Sequence, residues 1–346
     1  KTVSAILHPC LRGPSPMRFL LASAFLLLPH IAQLAHAEAF NQPKVHVDPA
    51  LRLYDSAGVT QAANLPDGGV VLVGDFDEYA GVRVDGIVKL FPDGSVDLSF
   101  KPSLEMQDIG PAHPNGVALV GDDLYVSGAF NLVDGVETIE IARFQLPELS
   151  LTPNSIGASA QIDAIRDIDG DLLVAAGSWI SRFDLDNDGS LTQWNDIQLP
   201  QGTYGTTALK ISPEGNIGVL TVAMRILVYS GSTGGFLFEA PVPTPDWNFG
   251  LQFDFASDGD LLISGDFHVM ETTGPANLIR VDGSTGQVVP TWTFHSDDPD
   301  AAFGGVLALP DGGAIVTGGF TQINDTPTPE GIARIDEDGT VRPHWG

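Results

Sequence analysis

The feature that most constrains this chain is a pattern it repeats. Leu65 to Phe100 reads LPDGGVVLVGDFDEYAGVRVDGIVKLFPDGSVDLSF: strand, tight turn, strand, loop, strand, tight turn, strand. Pro66-Asp67-Gly68-Gly69 and Pro92-Asp93-Gly94 supply the positive-φ position that a hairpin turn needs, and Val, Ile and Leu fill the flanks. Val70 to Val73 is a short apolar run, which suits a strand buried on both faces. Gly74-Asp75-Phe76 then recurs as Gly128-Ala129-Phe130, Gly265-Asp266-Phe267 and Gly318-Gly319-Phe320. Thirteen residues after Phe76, Phe130 and Phe267 stand Lys89, Arg143 and Arg280, and fourteen after Phe320 stands Arg334. Matching residues at matching offsets define an internal repeat.

Two further units are degenerate. In the third, Asp169-Gly170 precedes Leu172 to Gly177, and Arg182 follows Trp179 by only three residues. In the fourth, Pro213-Glu214-Gly215 precedes Ile217 to Val222 and Arg225 to Tyr229. Both lack the long loop between second and third strands. The six units are spaced about 43 to 54 residues apart. One four-stranded unit cannot bury both of its faces, whereas radial stacking covers them and leaves only short edges. The expected fold is all-β: a β-propeller of about six four-stranded antiparallel blades.

The pattern PDG-x-apolar-LVG-x-F, a loop of about ten residues, I-[VA]-[KR]-[LF] and DGS-x-D-x-S-F resembles the delta-60 repeat family of bacterial β-propellers. The first unit fits nearly throughout, the second, fifth and sixth fit well, and the third and fourth fit poorly. The resemblance covers roughly residues 57 to 346. It implies the propeller fold and a mostly extracellular setting, and it brings no catalytic residues, because the repeated motif is structural.

With 44 acidic and 16 basic residues the chain carries a formal charge of −28. Such a surface repels nucleic-acid phosphates and anionic membranes and favours cations, so no nucleic-acid partner is expected. Met17-Arg18, the apolar run Phe19 to Leu28 and Ala35-His36-Ala37 follow the order of a secretory signal cleaved after Ala37. The run is too short to span a membrane. Residues 1–37 are therefore read as upstream sequence plus signal peptide, 38–44 as a flexible lead-in and 45–346 as one propeller domain, secreted to the periplasm or beyond. The one cysteine, Cys10, falls in the removed segment, which excludes thiol catalysis and disulfides from the mature domain. His46 to Leu51 echoes Ser95 to Phe100 and offers a strand for closing the ring, in competition with Thr340 to Trp345.

Counted outward from the axis, the Asp-Gly turns join first to second and third to fourth strands, so they share one face of the disc. The loops 77–86, 131–140, 268–277 and 321–331 share the other face with the connections between units. Binding residues gather on loops over a rigid scaffold, which makes this second face the candidate. Units three and four are neighbours without loops, so a low step is expected beside a raised arc. Tyr79, Glu137, His268 and Asp325 would border the step, with Tyr204 and Trp247 as its floor. Neutral loss of loops from a face that binds nothing is the competing explanation. Tyr204, Trp247 and Phe303 are read as aromatics on the connections, with His113 and His295 nearby, either stacking on a ligand or plugging the channel.

The cation recurring in the third strand (Lys89, Arg143, Arg182, Arg280, Arg334) is expected to be structural, through an ion pair with the neighbouring blade or by snorkelling along apolar side chains. Asp184, Asp186 and Asp188 lie on alternate residues before Gly189, as in calcium loops. Position twelve is Asn195 rather than glutamate and no helices flank the motif, so an acidic hairpin turn is the simpler reading and Ca2+ is the one cofactor left open. There is no HExxH, GxSxG, phosphate loop or dinucleotide fingerprint. The expected function is a monomeric, non-enzymatic binding or scaffold module for a protein or glycan. The alternative is a propeller enzyme such as a calcium-dependent lactone hydrolase or lyase, which would aim several acidic or amide side chains at one point in the central channel.

Overall fold

The computed structural model describes residues 58–106, 110–138, 140–152, 162–185, 190–191, 196–242, 251–265, 277–296, 303–328 and 331–342. These residues contain no helix and build six principal antiparallel sheets in chain order. Blade 1 consists of Gly58–Asn64, Val70–Asp75 and Ile87–Leu90, with Val96 bridged to Leu90. Blade 2 consists of His113–Val120, Asp123–Ala129, Ile141–Gln145 and Ser150–Thr152. In blade 3, Ile162–Ile168, Asp171–Ala176, Trp179–Asp184 and Ser190–Leu191 pair in sequence, and Ile197–Gln198 pairs with the third strand as well. Blade 4 comprises Thr206–Ile211, Ile217–Thr221, Ile226–Tyr229 and Phe236–Glu239. Blade 5 comprises Gln252–Phe255, Leu261–Ser264, Leu278–Val281 and Val288–Phe294. Blade 6 comprises Phe303–Ala308, Ala314–Gly318, Ile332–Ile335 and Val341–Arg342.

The apolar runs are continuous because each blade buries both faces. In blade 2, Leu124 and Val126 enter the core shared with blade 1, while Tyr125 between them enters the core shared with blade 3. Blade 3 does the same with Leu172 and Val174 on one side and Leu173 and Ala175 on the other. Five such cores join blade 1 to blade 6 in order. The remaining face of blade 1 (Leu72, Phe76, Val84, Val88) and that of blade 6 (Leu307, Ile315) form separate clusters. Blade 6 has its own outer strand, since Val341 and Arg342 pair with Ile335 and Arg334. Residues 45–53, offered above as a closing strand, lie outside the described residues, as do the expected signal segment and Cys10.

The repeated words have local causes. Gly68 and Gly94 both take φ of 82° in the tight turns, a conformation costly for any residue with a Cβ. Gly74 opens the Gly-x-Phe word because a Cβ there would overlap the Gly58 carbonyl oxygen of the inner strand. Phe130 and Phe320, which close the word in blades 2 and 6, are fully buried.

The recurring cation is structural, but its partners belong to its own blade rather than the neighbour. Lys89 meets Asp67 at 3.4 Å and Asp97 at 3.2 Å, Arg143 meets Asp123 at 2.7 Å, and Arg182 meets Asp171 at 2.6 Å. Arg280 pairs with Asp260 at 2.7 Å and with Asp258, and Arg334 with Asp336 at 3.0 Å and with Asp311. Asp67, Asp123, Asp171, Asp258, Asp260 and Asp311 sit in or beside the turn joining the first two strands, which antiparallel pairing carries back over the third strand, whereas Asp97 and Asp336 lie between or on the third and outer strands. Among the described residues, Arg182 also reaches across, donating to the Gly231 carbonyl of blade 4 at 3.0 Å.

Candidate functional site

Three of the four long loops contain two-stranded ribbons among the described residues. They are Glu78–Tyr79 with Val82–Arg83, Leu132–Val133 with Val136–Glu137, and Gln322–Ile323 with Thr326–Pro327. The ribbon of blade 2 pairs further with Leu104–Met106 on the connection leading into its own blade. Blades 3 and 4 have no ribbon. Their second and third strands are joined by Gly177-Ser178 and by a turn in which Thr221 N–H donates to Arg225 O at 2.9 Å. Among the described residues, ribbons therefore stand on blades 1, 2 and 6, while blades 3 and 4 carry only tight links.

Tyr79 lies half-buried on the first ribbon, its ring 6.4 Å from that of Phe76, and burial raises the pKa of its phenol. Glu137 is exposed on the second ribbon, and Asp325 takes φ of 65° at the tip of the third. No hydrogen bond, ion pair or ring contact joins any two of these three. His268, Trp247, Asp186 and Asp188 lie outside the described residues. Asp184 ends the third strand of blade 3 and pairs with Ser190. No group of three or more His, Cys, Asp or Glu side chains able to hold a metal occurs among the described residues.

Phe303 is a correction. It opens the inner strand of blade 6 rather than lying on a connection, is fully buried, and packs its ring 4.6 Å from that of Phe320. It neither faces a ligand nor plugs the channel. His113 likewise starts the inner strand of blade 2, with Nδ1 3.2 Å from Asp75 Oδ1.

Tyr204 stands where it was expected, on the connection from blade 3 to blade 4, and is 81% exposed. Its φ of 59° is the left-handed region, which a bulky side chain adopts only when its surroundings hold it there. The holding bonds are visible on either side. Thr203 Oγ1 donates to Pro200 O at 2.9 Å, Ala223 N–H to Thr203 O at 3.2 Å, and Val222 N–H to Gly205 O at 3.0 Å. Two further exposed apolar side chains share the step: Trp179, 46% exposed just beyond the shortened turn of blade 3, and Val222, 48% exposed in that of blade 4. Both stand at the shortened links between second and third strands.

Beneath Tyr204 the inner strands are stitched to one another. Five of them carry an extra residue at a β-bulge: Thr60, Asn115, Asp163, Thr207 and Gly304. Asn115 Nδ2 donates to Ile162 O of the next blade at 2.7 Å, and Asp163 Oδ2 accepts from Thr206 N–H of the next blade at 3.2 Å and from Gly177 N–H at 3.1 Å. Outside the bulges, Gln61 Nε2 donates to Val117 O at 2.6 Å, Lys210 meets Asp254 at 3.3 Å, and Asp254 Oδ2 accepts from Ala308 N–H at 3.0 Å. Asn115, Asp163, Gln61 and Asp254 thus each bond backbone of the next blade, and Lys210 pairs with Asp254 across blades 4 and 5.

Residues 65–100 match the family described as a domain of unknown function (DUF5122) beta-propeller. Of solved structures, YCF48 bound to D1 peptide superposes with a TM-score of 0.55 at 12% identity, over 84% of this chain and 82% of that one. The fold is a β-propeller. The extracellular domain of BT4673 from B. thetaiotaomicron, a protein described as a one-component system, superposes with a TM-score of 0.53 at 14% identity and 84% coverage of this propeller. The present chain spans only 33% of that protein's length. No curated protein matches this propeller. At these identities the likeness is one of fold. No helix among the described residues is long and apolar enough to cross a membrane.

Proposed function

We propose that this propeller is an exported, non-enzymatic binding module that receives a protein segment on the step over blades 3 and 4. The observation that carries the reading is the exposure of Trp179, Tyr204 and Val222 on one face, where two adjacent blades have lost their loops. Aromatic side chains with few rotamers give large contact area at low entropic cost, and exposed ones grouped on one face mark interaction surfaces. A propeller of the same fold solved with a peptide bound supports a protein ligand over a glycan.

The test is binding of residues 38–346 to peptide and glycan arrays, followed by titration of the hits. Tyr204→Ala and Trp247→Ala should each weaken a true ligand by about tenfold, as hot-spot aromatics do. Asp93→Asn, in a turn on the opposite face, should change nothing. Loss with Asp93→Asn and indifference to Tyr204→Ala would place the site on the other face.

A further inference from the structure

The inner strand of each blade is paired on one side only, so alternate backbone groups along it face the axis. Arg166, Lys210 and Asp254 hold one register position on the inner strands of blades 3, 4 and 5, two residues before the first turn closes at Ile168, Ser212 and Ala256. Blades 1, 2 and 6 place Ala63, Ala118 and Leu307 there. A charge that serves the blade itself recurs from blade to blade, as the third-strand cation does. This trio does not recur.

The three side chains turn to the free edge. Lys210 Nζ lies 3.3 Å from Asp254 Oδ1 across the boundary of blades 4 and 5, and Asp254 Oδ2 accepts from Ala308 N–H of blade 6 at 3.0 Å. Leu309 N–H bonds within its own blade, so Ala308 N–H, one residue earlier, points toward the axis. Ile165, three residues before Ile168, presents its carbonyl on the same edge, and Arg166 Nη1 donates to it at 2.7 Å. Asp254 is thus engaged on both oxygens, whereas Arg166, whose charge lies in the field of Asp254, has no ion pair among the described residues.

Arg166 is partly exposed, and its Nε and Nη2 make no hydrogen bond to a described residue. Those nitrogens form the side of a guanidinium that takes a carboxylate in a two-bond fork. Burial lowers the Arg166 pKa to about 10 against the opposing charge of Asp254, the direction of a guanidinium short of negative charge. Two cations against one carboxylate leave a single positive charge, in a chain whose formal charge is −28. That excess matches a monoanion, whereas a doubly charged phosphate would leave negative charge uncompensated at a largely desolvated place.

We infer that the free edge of the inner strands of blades 3 to 5 binds the carboxylate of an organic acid, with Arg166 as the recognising cation and Lys210 keeping Asp254 occupied. The trio lies at the far end of the inner strands from Tyr204, so this site is separate from the step. Calorimetric titration of the protein tests it, at a constant ionic strength of about 0.15 M so that diffuse attraction is screened. The probes are glucuronate for a free acid and Ac-Gly-Gly-Gly-OH for a chain terminus, each beside its neutral amide.

At least one acid should bind, its amide about tenfold or more weaker, and the acid that binds names the source of the carboxylate. Arg166→Gln should weaken that acid by about tenfold or more. Lys210→Gln should weaken it too, because Asp254 is then free to compete for Arg166. Asp254→Asn should tighten it severalfold, since the amide oxygen still accepts Ala308 N–H while the competing charge is gone. A purely structural trio would show no such gain, and this variant decides the matter should Arg166→Gln fold poorly. Arg334→Gln, which removes a cation elsewhere, should bind as the parent does. Binding of neither acid, equal binding of acid and amide, tighter binding of inorganic phosphate, or no gain with Asp254→Asn would overturn the inference.

Discussion

Arg280 and Arg334 occupy the same place in the repeat, and the structure assigns them different energetic weights. The Arg280 side chain is 9% exposed and that of its partner Asp260 20%, whereas Arg334 and Asp311 are 38% and 54% exposed. Burial works against the Arg280 charge, but the hydrogen bonds and charges of Asp260 and Asp258 outweigh it and hold its pKa above the ordinary value. Arg280→Ala would leave Asp260 with only its Gly283 N–H donor at 2.9 Å and would remove a guanidinium 5.9 Å from the Trp292 ring centre. Stranding a largely buried carboxylate costs about 3 kcal/mol, the low end of the usual range because Asp260 keeps one donor and some solvent. Arg334→Ala leaves Asp311 in water and Asp336 still paired with Arg342, which costs about 0.5 kcal/mol. In thermal unfolding the two should differ by roughly 4 °C. The double variant Arg280→Met/Asp260→Leu should regain most of the loss, because apolar side chains replace buried pairs well. Equal losses for the two single variants, or no recovery in the double, would refute the argument that burial rather than repeat position sets the weight.

Three further outcomes are expected. Gly231→Ala should destabilise by about 2 kcal/mol or more in urea unfolding, since its Cβ would overlap the Gly215 carbonyl oxygen, while Gly94→Ala, in open space at φ of 82°, should cost about 1 kcal/mol. The Ser99 hydroxyl above all, then the Ser99 N–H and Lys89, lowers the Asp97 pKa; Ser284 and Thr285 bring Asp282 to about 2; and Arg225 lowers Glu239. Folded values below unfolded ones give stability that is present above about pH 4 and lost as pH falls toward 2, so melting temperatures should hold from pH 7 to 5 and then drop. Melts with millimolar calcium and with chelator should agree within about 1 °C; a rise of several degrees abolished by Asp186→Ala would establish a calcium site at Asp184, Asp186 and Asp188.

The sequence alone determined the blades, because turn chemistry and strand periodicity are local. Asp67-Gly68 and Asp93-Gly94 fix where the chain reverses, and Val70 to Val73 must be buried on both faces wherever it lies. The missing loops at Trp179 and Val222 were legible for the same reason, as a shortened spacing between landmarks. Which side chains meet was not local. Lys89 finds Asp67 because antiparallel pairing folds the first turn back over the third strand, and Asp97 because the outer segment returns beside it, and no spacing announces either. Phe303 reads as a loop aromatic until the inner strand is seen to begin with it. Asp163 is one acid among 44 in the sequence. Only the bulge that turns it toward Gly177 and Thr206, and the packing that sets blade 4 beside blade 3, let its Oδ2 accept from the backbones of both blades. That placement depends on contacts between blades, which a repeat pattern implies in number but not in detail.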